Sequence, residues 1–372
     1  MKTFSDFDSR MMRRALELAA GGRFTTAPNP NVGCVIAKGE KVIGEGFHFR
    51  AGEPHAEVHA LRQAGERAKG ATAYVTLEPC SHYGRTPPCA EALINIGVSR
   101  VVCAMVDPNP QVAGRGIKML EDAGIQVDVG LYSAEAEALN PGFIKKMHSG
   151  MPYVQLKLAA SLDGRTALAN GESKWITGPD ARSDVQVFRA MSSAILSTSA
   201  TVLADDPSLN VRWEQLPESV QKDYQKANLH QPVRAIIDSQ NRVKPHHQLF
   251  SLPGKVVLLR TQQGTEDWGD EVEQLIVPGS SEGIDLTAAL KVLAENGLHH
   301  IWVEAGASLA GSLVEQNLVD ELILYQAPKL MGADSRSLIA IRGLTAMSEV
   351  PELNISDVTL VGRDIRIRAI PV

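Results

Sequence analysis

Three metal-ligating side chains on one stretch constrain this chain more than any other feature: His55, followed by Ala56-Glu57, then Cys80 after Pro79, then Cys89. One ion can be held by all three only if the fold brings them together. The local patterns say how. HAEVHALRQAGERAKG, opening at Pro54-His55, reads as a helix with Val58, Leu61 and Ala64/Ala68 on one stripe. Ala73–Leu77 reads as a strand leading to Cys80, and Cys89, after Pro87-Pro88, starts the helical run CAEALINIG. A cysteine at a helix N-terminus has its thiolate favoured by the helix dipole. The ligands then converge from helix starts at the end of a sheet, where open α/β sheets carry their sites.

Zinc with three protein ligands keeps a position for water and lowers the pKa of that water to about 7. Glu57 lies two residues past His55, near the metal without binding it, and is the expected proton carrier. H-x-E followed by P-C-x-x-C marks zinc-dependent base deaminases. The first half matches here; the second departs, with eight residues, Ser81 to Pro88, between the cysteines. His59 reads as a chance neighbour, and Cys34 and Cys103, in apolar strand-like runs, as ordinary buried cysteines. A purely structural zinc usually takes a fourth protein ligand. His82 could supply it, but Glu57 would then have no role.

At 372 residues two domains are expected, because single cores stop growing beyond roughly 250–300 residues. The pattern restarts near His148–Pro152, which gives domains 1–149 and 150–372. Net charge is −6, with no basic tract and 5% aromatic residues, which speaks against a nucleic-acid partner. A small phosphorylated substrate needs only a few local cations. Four cysteines without a secretory pattern point to a reducing compartment and a cytoplasmic location. No apolar run is long enough to span a bilayer.

The first part reads as a helix (Asp8–Ala20), a TTAPNPN loop, a hairpin around Gly39, then alternating helices and strands to a last helix from Ala134. The second part alternates too. A helix starts near Asp180, AILSTSATVLA reads as one strand, and RAIIDSQ, KVVLLRT, HHIWVEAG and ELILYQAPKL as others. Arg212–Gln231 reads as a polar surface excursion. There is no G-x-G-x-x-G, so a Rossmann dinucleotide site is not supported. The turn Glu304-Ala-Gly306…Gly311-Ser312 leaves a strand and enters a helix; free N–H groups there suit a phosphate, and close packing is an equal reason for its glycines. Asp205 and Glu304 are expected at strand ends.

HAEVHA, TLEPCSHYGRTPPC, DPNPQVAGRG, QLKLAASLDGRTA, SATVLADDPSLNVR, WVEAG and VDELILYQAPKLMG occur in this order. Together they resemble the bifunctional riboflavin-biosynthesis deaminase/reductase family over nearly the whole chain. The long cysteine spacing is then a trait of that family. The resemblance implies a cytidine-deaminase-like three-layer α/β/α domain, followed by a dihydrofolate-reductase-like α/β domain. It implies deamination of 2,5-diamino-6-ribosylamino-4(3H)-pyrimidinone 5′-phosphate, then NADPH reduction of the ribosyl group to ribityl. The product would be 5-amino-6-ribitylamino-uracil 5′-phosphate.

Position by position, the resemblance makes His55, Cys80 and Cys89 the zinc ligands and Glu57 the proton shuttle. Asn31, His48 and Arg85 would touch the deaminase substrate. Ala159, Trp175, Thr201, Asp205, Ser239 and the turn Gly306, Ala307, Ser308, Leu309, Ala310, Gly311, Ser312 would touch NADPH. Ser173, Arg189, Leu209, Arg212 and Glu304 would touch the reductase substrate, with Lys157 and Asp205 near the reacting sugar. Arg242 or Arg260 could bind a 2′-phosphate. A competing reading is a nucleic-acid base deaminase with a C-terminal binding domain. A zinc-stabilised scaffold is another. Exposed sheet edges in the second domain favour a homodimer.

Overall fold

The computed structural model describes residues 4–83, 87–110, 112–280 and 283–372. The chain forms two compact units, Met1–Gly150 and Met151–Val372.

The first unit is built on a five-stranded sheet. Its spatial order is Lys41–Phe47, Gly33–Lys38, Thr72–Val75, Arg100–Cys103, Gln126–Val129. The first three strands run antiparallel to their neighbours and the last three are parallel. Strand periodicity sends alternate side chains to opposite faces. Cys34, Ile36, Ala73, Val75, Val101 and Cys103 pack under the helices Ala56–Ala64, Cys89–Ile96 and Arg115–Asp122. Val35, Ala37, Tyr74 and Val102 face the other way, toward Met12 and Ala15 of the helix Asp6–Ala19 and Phe143 and Ile144 of Pro141–Ser149. Helices therefore cover both faces, as a three-layer α/β/α domain requires. Cys34 and Cys103 are free and fully buried, in keeping with their apolar surroundings.

Two glycines fix the helix that follows His55. A Cβ at Gly44 would lie 2.2 Å from the Ala60 carbonyl oxygen, and one at Gly46 would lie 2.5 Å from that of Ala56. The helix backbone thus rests directly on the outer strand.

The second unit carries a nine-stranded sheet in the order Val272–Ile276, Val256–Arg260, Val233–Ile237, Ala194–Thr198, His300–Glu304, Tyr153–Ser161, Glu321–Ala327, Asp364–Pro371, Leu353–Val361. The first seven are parallel and the last two form an antiparallel ribbon. Helices Leu286–Glu295 and Ala307–Glu315 pack on one face, and Pro179–Met191 on the other, where Phe188 stacks on Trp302.

One expected strand is corrected. AILSTSATVLA is a strand only over Ala194–Thr198; Ser199–Asp205 is helical, because the Thr198 hydroxyl accepts from the Thr201 N–H and caps that helix. Asp205 therefore ends a helix, whereas Glu304 does end its strand. The polar stretch after Arg212 is also more structured than its composition suggests. Leu216, Val220 and Tyr224 are buried there, and the Trp213 indole donates to the Tyr224 carbonyl at 2.7 Å.

Candidate active sites

His55 is the cap residue of the helix Ala56–Ala64, and Cys89 is the first residue of Cys89–Ile96. Cys80 stands in the loop before that second helix. Its carbonyl accepts from the Ala90 N–H at 3.2 Å, and its sulfur from the Cys89 N–H at 3.3 Å. His55 Nδ1 is 3.6 Å from Cys80 Sγ and 3.4 Å from Cys89 Sγ. One ligand atom from each of the three lies within 4.8 Å of the others, the only such cluster among the described residues. His59 and His82 are not part of it.

The electrostatics suit a cation. The Cys89 thiol donates to Cys80, and with His55 alongside this pulls Cys80 down to about 4. The same bond and burial push Cys89 up, so Cys80 is the readier thiolate. Glu57 is 3% exposed, and its Oε2 is buried without a partner. Burial, with the negative charge of Cys80, pushes its carboxyl up to about 7. An unpartnered buried oxygen beside two sulfurs and an imidazole suits a bound cation and its water. The residues fit zinc. Bound there, zinc would supply a Lewis acid and an activated water.

His48 is buried and meets the His55 ring edge to face, with centroids 5.2 Å apart. Its Nδ1 lies 3.2 Å from the Pro54 carbonyl oxygen, and Nε2 lies 3.0 Å from Asn29 Nδ2. These contacts fit a neutral ring that donates from Nδ1 and accepts at Nε2. Asn31 is engaged elsewhere. Its amide donates to the Leu139 carbonyl at 2.9 Å and its side-chain oxygen accepts from Thr26 at 2.7 Å. Of the two asparagines in PNPN, Asn29 is thus the one beside His48. The two side chains are identical, and only their partners in three dimensions separate them. Arg85 lies outside the described residues.

In the second unit Glu304 ends its parallel strand, and Thr201 and Ser239 stand just past the C-terminal ends of two others. Glu304 pairs in register with Lys157 on the neighbouring strand. Arg189 grips Glu304 with two bonds of 2.6 and 2.8 Å, and the Trp302 indole adds a third at 2.8 Å. Burial alone would push Glu304 up, but the Arg189 charge outweighs it and holds the carboxyl at about 2. Burial lowers Lys157. Arg189 also donates to the Asn210 carbonyl at 2.8 Å, which anchors the loop carrying Leu209 and Arg212. Leu209 is buried with φ of +44°. Arg212 is exposed; partial loss of solvent, and then the like charge of Arg189, lower its pKa. Trp175 is exposed beneath the Arg182 guanidinium, 4.6 Å from the ring centre.

Thr201 and Asp205 lie on the helix after Ala194–Thr198, and Ser239 follows the strand Val233–Ile237. Ser173 and Ala159 are half-buried. At the Gly306 turn the residues divide. Gly306 and Ser308 are exposed, Ala307, Leu309 and Ser312 half-buried, and Ala310 and Gly311 buried. A Cβ on Gly311 would lie 2.1 Å from the Ala340 carbonyl oxygen, so that glycine serves packing. Arg260 is fully buried and bound to Asp238 at 2.8 Å, which closes it to a ligand. Arg242 is exposed, with one bond of 2.9 Å to the Ser199 hydroxyl.

Comparison with known proteins agrees with this division. Residues 5–105 match the cytidine and deoxycytidylate deaminase zinc-binding region, and residues 152–367 match the RibD C-terminal domain. The riboflavin biosynthesis protein RibD of Escherichia coli is 58% identical over 358 residues, covering 96% of this chain and 98% of the relative. That of Haemophilus influenzae is 56% identical over 372 residues, covering 100% and 99%. The chain belongs to the RibD family.

The solved structure of Acinetobacter baumannii RibD superposes with a TM-score of 0.90 at 45% identity, covering 98% of this chain and 99% of that one. A Thermotoga maritima diaminohydroxyphosphoribosylaminopyrimidine deaminase/5-amino-6-(5-phosphoribosylamino)uracil reductase gives 0.86 at 31% identity, covering 98% and 99%. As a RibD family member, this chain is a bifunctional riboflavin-biosynthesis enzyme with a zinc-binding deaminase domain and a reductase domain. The nucleic-acid deaminase reading is not favoured. No helix among the described residues is long and apolar enough to cross a membrane.

Proposed function

We propose that the first unit deaminates 2,5-diamino-6-ribosylamino-4(3H)-pyrimidinone 5′-phosphate and that the second reduces the product's ribosyl group with NADPH. The convergence of His55, Cys80 and Cys89 beside the unpartnered oxygen of Glu57 carries the first half of this reading. In it, His55, Cys80 and Cys89 hold one zinc per chain. Glu57, with a carboxyl near neutrality, takes a proton on the metal side and gives it to the departing ammonia. His48 and Asn29 contact the pyrimidine, with Asn29 taking the part first expected of Asn31. Arg85 is kept as a phosphate contact on its residue type alone.

In the reductase unit Lys157 and Asp205 act near the sugar, and Glu304 with Arg189 fixes the pocket wall. Arg212 takes the substrate phosphate. The segments that follow the strand ends, with Thr201 and Ser239 half-buried and Gly306 and Ser308 exposed, receive the cofactor. Of the two arginines considered for the 2′-phosphate of NADPH, Arg242 has exposed donors and Arg260 has none.

We also propose a homodimer in a cytoplasmic setting. The bulge between Ile355 and Asp357 keeps Leu353, Ile355, Val358 and Leu360 on one face of the edge ribbon, and all four are exposed. Leu360→Asp should give a monomer by light scattering if that face is the interface.

The deciding assay supplies the diaminopyrimidinone ribotide and follows ammonia and NADPH together. Ammonia followed by equimolar NADPH oxidation is expected. Ammonia without oxidation removes the reductase half. Neither signal from folded, zinc-loaded protein removes the substrate.

A further inference from the structure

One buried carboxylate in the first unit has no part in the chemistry above. Glu78 is 3% exposed, and both its oxygens are filled by backbone N–H groups. Oε2 accepts from Asp107 at 3.1 Å and from Gly114 at 2.9 Å. Oε1 accepts from Gly116 at 2.8 Å and from Ile117 at 3.2 Å. Four donors from a distant segment thus close on one side chain. Only a carboxylate can accept on both oxygens; an amide would turn its own NH₂ toward two of these donors.

The position of Glu78 gives that clamp its consequence. Cys80 lies two residues on, in a loop outside any helix or strand. Pro79 separates them, and its ring fixes φ, so displacement of Glu78 passes on to Cys80. The Pro79 carbonyl is braced by the same segment, since a Cβ on Gly116 would come within 2.0 Å of it. On the near side the Glu78 N–H donates to the Met105 carbonyl at 3.0 Å.

Resting on the ligand assignment above, we propose that Glu78 is a positioning residue of the deaminase metal site, which sets the place of the Cys80 sulfur by locking its loop to Asp107–Ile117. Asp107 is part of the same lock. It is buried, and its N–H is one of the four donors.

Cobalt(II) substitution and zinc affinity by chelator competition test this on the full-length protein. Glu78→Gln and Glu78→Asp are compared with Tyr74→Phe, which breaks a 2.8 Å bond to Asp8 in the same unit, on the opposite sheet face. Both Glu78 variants should lose about 10–100-fold in zinc affinity, the range seen for groups that orient ligands. Their cobalt–thiolate absorption should shift, while NADPH oxidation with pre-deaminated substrate stays at the wild-type rate. Tyr74→Phe should keep wild-type metal properties. Wild-type zinc affinity and cobalt spectrum in a folded Glu78 variant would overturn the role, as would equal loss in Tyr74→Phe. If Glu78→Gln does not fold, Glu78→Asp decides. Wild-type protein that takes up no zinc would instead overturn the ligand assignment.

Discussion

In the first unit Glu57 is buried with one oxygen unpartnered; in the second, Glu304 is partly shielded with both oxygens filled by Arg189 and one also by Trp302. The first carboxyl is pushed up to about 7 by burial, and the second is held at about 2 by its ion pair. The same residue type is set to two tasks. In the proposed mechanism Glu57 trades a proton near neutrality, while Glu304 is an ion-paired anion that orders its neighbours. Loss of solvent raises a carboxyl only where no cation offsets it.

The sharpest way to break this contrast is Glu57→Ala. Ammonia release should fall by about 10²–10⁴-fold, the usual contribution of a positioned acid–base group. Zinc content and reductase rate should be unchanged. Loss of the reductase rate as well would mean that the two glutamates do not serve separable sites.

Glu304→Gln should act on stability. It strands Arg189, whose side chain is 9% exposed, and breaking such a pair costs about 3–5 kcal/mol. Urea unfolding of the second unit would measure it. A change below about 1 kcal/mol would mean that water solvates Arg189 after all.

Acid titration sharpens the same point. A carboxyl held at about 2, against an ordinary value of about 4.3, contributes stability that is fully present above 4.3. That contribution is lost as the pH falls through 2. Glu304→Gln should therefore flatten the unfolding free energy between those limits, as read from melts at stepped pH.

The smallest effect sets the floor. Lys118 and Asp122 form an exposed pair at 3.0 Å on one helix face. Lys118→Ala should cost less than about 0.5 kcal/mol, and a larger value would show that surface pairs here are not a fair baseline.

The first site was far more legible in the sequence than the second. Histidine, cysteine and glutamate in one stretch have few uses together, and the helix starts that carry them announce themselves. Even there, the sequence could not show that the Asn31 amide is bonded to the Leu139 carbonyl, more than a hundred positions away, or that Asn29 is bonded to His48. Glu78 was invisible for the same reason: its partners are backbone groups, which have no letter in a sequence. In the second unit most of the residues are of types common on any surface, such as arginine, serine, threonine and glycine, and the family resemblance did the work that spacing could not. Arg242 and Arg260 looked alike until burial separated them. The misread strand after Ala194 failed on a single capping hydroxyl.

The order of strands in the second sheet bears on how this chain is made. Tyr153–Ser161 leaves the ribosome early, yet one of its neighbours, Glu321–Ala327, arrives long after, and Asp364–Pro371 must still insert between that neighbour and the edge. Parallel strands joined over such separations form slowly. A nascent chain halted before Asp364 would hold a sheet with an open, apolar flank. A stop before Asp364 would therefore leave Glu321–Ala327 with one row of backbone groups unpaired, the edge on which strands of other chains can add.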